Sequence, residues 1–120
     1  MLSTLHARAF GNPPPGQPEP WTERLQRHAL SWVCAFDGPT LIGFVYACWD
    51  GRVHAFLLDP VVDPNYQRRG IGRALVQALG KEAAAAGCTW LHADYEPDLA
   101  AFYEEGLGYT QTRAGLVRLQ

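Results

Sequence analysis

The stretch Val61-Val62-Asp63-Pro64-Asn65-Tyr66-Gln67-Arg68-Arg69-Gly70-Ile71-Gly72-Arg73-Ala74-Leu75 concentrates residue types that hold anions. An apolar strand runs into a short loop, and the loop turns into a helix. Gly70 and Gly72 stand one residue apart there, and glycine lets other atoms come close to the backbone. The unpaired N–H groups of a first helical turn, helped by the helix dipole, form an anion site. Arg68, Arg69 and Arg73 crowd positive charge at a helix end that is already positive, an unfavourable arrangement without an anion to offset it. A phosphate or pyrophosphate is the simplest occupant. Taken alone, the two glycines are equally consistent with tight helix–strand packing and solvated arginines. A dinucleotide fold is disfavoured, because its third glycine would fall on Leu75 and the antiparallel run-up is wrong. A Walker loop is excluded, since no Gly-Lys-Ser or Gly-Lys-Thr occurs.

Three strands are expected to lead into this loop, over residues 31–36, 41–49 and 52–62. Asp37-Gly38-Pro39 and Asp50-Gly51 punctuate them as turns. Asp59-Pro60 interrupts the third strand. A proline there removes one ladder donor, so a bulge or a parting of neighbouring strands is expected. Asp59 is also a carboxylate inside the apolar run from Phe56 to Val62. Burying it is costly unless it is paired or functional, so capping the bulge and serving as a base are both open to it. After the loop the period changes. Ile71, Ala74, Leu75, Ala78, Leu79, Ala83 and Ala86 mark one face of a helix that Gly87 stops. A short strand is expected over residues 90–95. A further helix should open at Pro97, carry Leu99, Phe102 and Tyr103, and end at Gly106 or Gly108. Residues 109–112 and 116–119 are expected to close the sheet as a last hairpin across Ala114-Gly115. At the front, two short helices over residues 3–10 and 21–30 flank a segment with five prolines in ten residues, 11–20. The order predicts one α+β, or mixed α/β, domain over residues 1–120, with an antiparallel meander feeding a crossover helix.

Composition narrows the function further. The chain has 120 residues, of which 48% are hydrophobic, 18% charged and 12% aromatic, the balance of one small globular domain. A net charge of −2 with ten Lys plus Arg argues against a generic electrostatic grip on nucleic acid or an acidic membrane. No apolar run approaches the ~20 residues that cross a bilayer, and the opening residues lack the blocks of a signal peptide. Cys34, Cys48 and Cys88 are an odd number without paired metal spacing. They suggest reduced, buried thiols of a cytoplasmic protein and no metal centre. Trp90 is expected in the core. Trp32, Tyr46, Trp49 and His54 are expected in the core or as an aromatic pocket lining.

Gln67-Arg68-Arg69-Gly70-Ile71-Gly72 fits the pattern Gln/Arg-x-x-Gly-x-Gly/Ala. It resembles the acyl-CoA site of the GNAT superfamily of N-acetyltransferases. Asp63-Pro64-Asn65-Tyr66 before it, and Ala101-Phe102-Tyr103-Glu104-Glu105-Gly106-Leu107-Gly108-Tyr109 after it, look like that family in order and spacing. One extra residue separates Tyr103 from Gly108 relative to the family's Phe-Tyr-x-x-x-Gly-Phe/Tyr. The resemblance covers residue 31 to the end.

It implies a GNAT-like, mostly antiparallel central sheet flanked by helices. It implies acetyl-CoA as cosubstrate and a primary amine, on a small molecule or a protein, as acceptor. The cofactor-binding set it implies is Val61, Val62, Gln67, Arg68, Arg69, Gly70, Ile71, Gly72, Arg73 and Glu96. Backbone amides from Arg68 to Arg73 would hold the pyrophosphate, and the Val62 N–H would polarise the thioester carbonyl. Tyr103 would protonate the leaving thiolate. The base is less well marked: Asp59, Asp94 and Glu96 are the carboxylate candidates, with His54 and His92 as neutral imidazoles. The position that is glutamate in some relatives is Phe56. Glu96 takes the place of an asparagine that touches CoA in many relatives, and a helix cap is its other role. The family's first strand has no counterpart ahead of the first helix. Strand 31–36 is therefore expected to form a bare sheet edge that invites pairing with a second copy. An acyl-CoA-binding module without turnover is the competing expectation.

Overall fold

Leu41 through Ala47 are buried without a break, and a strand with no polar face must be covered on both sides. That strand, β2 (Thr40–Trp49), lies inside a four-stranded sheet ordered β1-β2-β3-β4. The computed structural model describes residues 21–120 together with Leu5. Apart from Leu5, the expected helix over residues 3–10 and the proline-rich segment lie outside the described residues. A helix, α1 (Trp21–His28), precedes β1 (Ser31–Asp37). After β2 come β3 (His54–Val62), a 3-10 turn (Pro64–Tyr66), helix α2 (Ile71–Ala85) and β4 (Trp90–His92). A second 3-10 turn (Pro97–Leu99) leads into a π-helical segment (Ala101–Gly106). β1, β2 and β3 are antiparallel, and β4 joins β3 in parallel after the α2 crossover. This is the mixed, mostly antiparallel architecture that the sequence predicts.

Each face of the sheet has its own core. Val45, Ala47, Ala55 and Leu57 pack against Leu75, Val76, Leu79 and Ala83 of α2. Phe44, Tyr46 and Val61 on the other face pack with Leu5 and with Trp21 and Leu25 of α1. The expected irregularity at Asp59-Pro60 is present. Phe44 pairs with Val61 and Tyr46 with Leu58, so β3 carries an extra residue there, and Asp59 takes a left-handed φ of 49°.

Gly43 of β2 sits directly beneath the start of α2. A Cβ at this position would lie 3.0 Å from Leu75 Cδ1, 3.2 Å from Ile71 Cγ2 and 3.3 Å from Ala35 Cβ. Gly43→Val is therefore expected to overpack the sheet–helix contact and cost about 1–3 kcal/mol in a urea melt. Gly80→Ala is the control. It lies in α2 with nothing within 4 Å of the added Cβ, and should stabilise by up to about 1 kcal/mol.

Four expectations need correction. The last hairpin does not form: no residue after 107 is in a strand or helix. Leu116, Val117 and Leu119 are 93%, 80% and 86% exposed. Val117 and Leu119 would share one face of such a strand, but nothing among the described residues covers it. The adjacent β4 is also only three residues long, and a hairpin without a covered face is marginal. The strand expected over residues 90–95 stops at His92. Trp90 is 62% exposed rather than core, because it lies on the outermost strand in register with His54, beyond the part of the sheet that α1 covers. The cysteines are free, but Cys34 is exposed and Cys48 and Cys88 are half-buried. Among the described residues β1 ends the sheet on its own side, with Trp32 and Phe36 exposed. No helix among the described residues is long and apolar enough to cross a membrane.

Candidate functional site

β3 and β4 pair only from His54↔Trp90 to Phe56↔His92. Beyond that rung β3 keeps only its β2 neighbour, and a cleft of about 690 Å³ opens beside its free edge. Pro60, Val61 and Val62 form one wall, the loop and α2 start from Tyr66 to Arg73 form the floor, and Leu99, Phe102 and Tyr103 form the opposite wall.

The floor is fixed by local bonds. Asp63 is buried; its carboxylate accepts the Asn65 N–H at 3.0 Å, and its own N–H donates to the Ile42 carbonyl at 2.7 Å. Gln67 Nε2 donates to the Val62 carbonyl at 3.2 Å. Arg68 and Gly70 both have left-handed backbone, with φ of 65° and 79°. The first bond of α2 runs from Ala74 N–H to the Gly70 carbonyl at 3.0 Å. The N–H groups of Ile71, Gly72 and Arg73 consequently have no acceptor within the helix. A Cβ on Gly72 would reach Phe102 at 3.6 Å and Val62 at 3.7 Å, so this glycine keeps open the space between the two walls.

N–H groups alternate sides along an extended strand. Asp63 points its N–H at β2, so Val62 turns its own to the open side, where its carbonyl already meets Gln67. Pro60 occupies the other outward position and has no N–H. Between the bulge and the loop, the open edge of β3 therefore presents one main-chain donor, that of Val62.

Tyr103 is buried in the far wall. Its ring stacks on Tyr95 at 4.6 Å and meets Tyr109 edge-on at 5.3 Å. Tyr95 Oη in turn donates to Glu104 Oε2 at 2.9 Å. Burial pushes the Tyr103 hydroxyl up from its ordinary range; burial, with Tyr103 and Tyr95 beside it, pushes Tyr109 up to about 12. The π-helical turn around Tyr103 takes up the extra residue noted in the sequence, since such turns hold one residue more than an α-helical turn.

Of the residues expected in the site, Val61, Val62, Gln67, Arg68, Gly70, Ile71, Gly72, Arg73 and Tyr103 line this one cleft. Arg69, Asp59 and Glu96 do not. The Arg69 guanidinium lies over the Tyr66 ring at 5.2 Å. Asp59 is 3.6 Å from Arg24 of α1, and Arg24 also donates to Tyr46 Oη at 3.0 Å. Glu96 precedes the turn Pro97–Leu99, where its carbonyl accepts the Leu99 N–H at 2.9 Å and its side chain makes no cap. His54 Nδ1 and His92 Nε2 are 2.9 Å apart, with the Phe56 ring stacked on His92 at 4.6 Å, at the rung where the strands part. Sequence reasoning missed Tyr66 and Tyr95. Both are close to marked residues in the chain, but their partners are set by tertiary packing.

A family model described as "Acetyltransferase (GNAT) family" matches residues 2–109. The chain is 32% identical to the N-alpha-acetyltransferase RimI of Mycobacterium tuberculosis over 117 residues, covering 95% of this chain and 72% of that protein. It is 31% identical to "GCN5-related N-acetyltransferase 1, chloroplastic" of Arabidopsis thaliana over 88 residues, covering 73% of this chain. The chain spans only 44% of that relative's length. Among solved structures, it shares its fold with AAC(6')-Iy in complex with the bisubstrate analog CoA-S-monomethyl-acetylneamine. The TM-score is 0.75 at 21% identity, covering 99% of this chain and 88% of that one.

Proposed function

The chain belongs to the acetyltransferase (GNAT) family, and from that premise we propose that it transfers the acetyl group of acetyl-CoA to a primary amine by direct attack. The observation that carries this reading is the cleft itself. The first-turn residues Ile71, Gly72 and Arg73, together with Arg68, Val62 and Tyr103, all line one space. Gly72 leaves that space open where any side chain would narrow it.

Acetyl-CoA supplies an activated acyl group as a thioester. The amides of Ile71, Gly72 and Arg73 hold its diphosphate with the two arginines. The Val62 N–H donates to the thioester carbonyl as charge builds on that oxygen. As the amine nitrogen bonds to the carbonyl carbon and the carbon–sulfur bond breaks, Tyr103 gives its proton to the departing sulfur. Asp59, next in the chain to the cleft-lining Pro60, is the carboxylate we assign to take the amine's proton through solvent. The acceptor is an amine of a small molecule or of a protein.

A second reading is favoured by one feature: no aspartate, glutamate or histidine lines the cleft among the described residues. A module that binds acyl-CoA without turnover needs no base there. Thiol release from acetyl-CoA, followed across small amines, polyamines and peptides with free N-termini, separates the two. Release with at least one amine class supports the enzyme. Tight CoA binding with no release on any amine would sink it in favour of the binding module.

A further inference from the structure

We propose that Tyr66, braced by Asp37, is a positioning residue that holds the phosphate loop in its binding shape before the ligand arrives. The inference rests on the acyl-CoA reading above and adds to it Asp37, a residue outside the cleft.

Ties of two kinds fix the loop. Local ones run from Asn65 N–H and Tyr66 N–H to Asp63 and from Gln67 to the Val62 carbonyl, and Asp63 N–H ties the loop to Ile42 of β2. The longest in sequence crosses 29 residues, from Tyr66 Oη to Asp37 Oδ2 at 2.5 Å. Asp37 is the last residue of β1, paired with Thr40 at the hairpin. That hairpin lies near the end of the sheet where Gly43 meets Val62, which puts it beside the loop. The hydrogen bond to Asp37 pushes the Tyr66 hydroxyl above its ordinary range, so it remains a donor through neutral pH.

Tyr66 does two further things. It lines the cleft, and its ring carries the Arg69 guanidinium at 5.2 Å. Arg69 lies between the two left-handed residues Arg68 and Gly70. Drawing the Arg69 side chain onto the ring keeps it out of the cleft, while the backbone on either side turns its N–H groups. The strain of Arg68 and the crowding of three arginines at one helix end both oppose this shape. A carboxylate held against the loop through Tyr66 offsets part of that cost. Such preorganisation strengthens binding without changing the chemical step.

The test is a double-mutant cycle read by calorimetry with CoA, and by KM and kcat for acetyl-CoA on whichever amine the native protein accepts. Tyr66→Phe keeps the ring under Arg69 and deletes the hydroxyl. Asp37→Ala deletes the brace at a residue that lines no part of the cleft. Each is expected to weaken CoA binding and raise KM roughly two- to fivefold, the size of one exposed charge-assisted hydrogen bond. kcat should stay unchanged. The double variant should be no worse than either single one, and Asp37→Asn, which keeps an acceptor oxygen, should recover most of the affinity. A melting temperature close to native in each variant separates this role from general loss of structure. If native protein binds CoA and the single variants bind as tightly, or the two losses add, the brace is wrong and the functional reading stands. If native protein does not bind CoA at all, the functional reading falls and takes the brace with it.

Discussion

Tyr103→Phe should lower kcat for thiol release by roughly 10²- to 10⁴-fold, the range of a lost general acid, while CoA affinity is retained. The substitution removes one oxygen and keeps the ring, so the stack on Tyr95 and the edge contacts with Phe102 and Tyr109 survive. The sign of the pH dependence follows from burial. The proton-giving form is the neutral phenol, which exists below its pKa, and burial raises that pKa. Any alkaline fall in rate that belongs to Tyr103 must therefore lie above the ordinary tyrosine value of about 10. A pH–rate profile of native protein and Tyr103→Phe checks both statements. A variant with native kcat would remove Tyr103 from the chemistry.

The second large effect is expected at Gly72. Its Cβ position already stands 3.6 Å from Phe102 and 3.7 Å from Val62, so an alanine fits against both walls. The two methyl groups of valine go beyond that and fill the gap over the free amides. Gly72→Val should weaken CoA binding by about 100-fold, or ~2.7 kcal/mol, with a much smaller change in melting temperature. Gly72→Ala should fall between. Calorimetry on the three proteins gives the order directly; a valine variant that binds like native protein would mean the ligand does not pass between these walls.

Much of this site could be read from the chain because it is local. The arginines, glycines and helix start are contiguous, so their shared loop follows from spacing. The Asp59-Pro60 bulge follows from a missing amide in an apolar run. The α2 face follows from its periodicity, and both sheet faces are covered as the unbroken apolar run of β2 requires. What escaped depends on distant partners. Nothing in the sequence joins Asp37 to Tyr66 or draws Arg69 out of the cleft that Arg68 and Arg73 line. Asp59 looked equally suited to a structural or a chemical role, and its partner Arg24 comes from a helix that packs across the sheet. Trp90 is a core residue by type but not by position: Leu91 of the same short strand takes the face packed against the α2 core, and Trp90 on the opposite face stays exposed.

In the proposed function the main-chain N–H groups of Ile71, Gly72 and Arg73 bind the diphosphate of coenzyme A. A titration of ¹⁵N-labelled native protein with CoA, followed in amide ¹H–¹⁵N spectra, tests it most directly. The predicted result is saturable movement of these three signals and of Val62, with the amides of β1 little changed. Signals at 71–73 that stay in place while CoA is raised to millimolar concentration would contradict it.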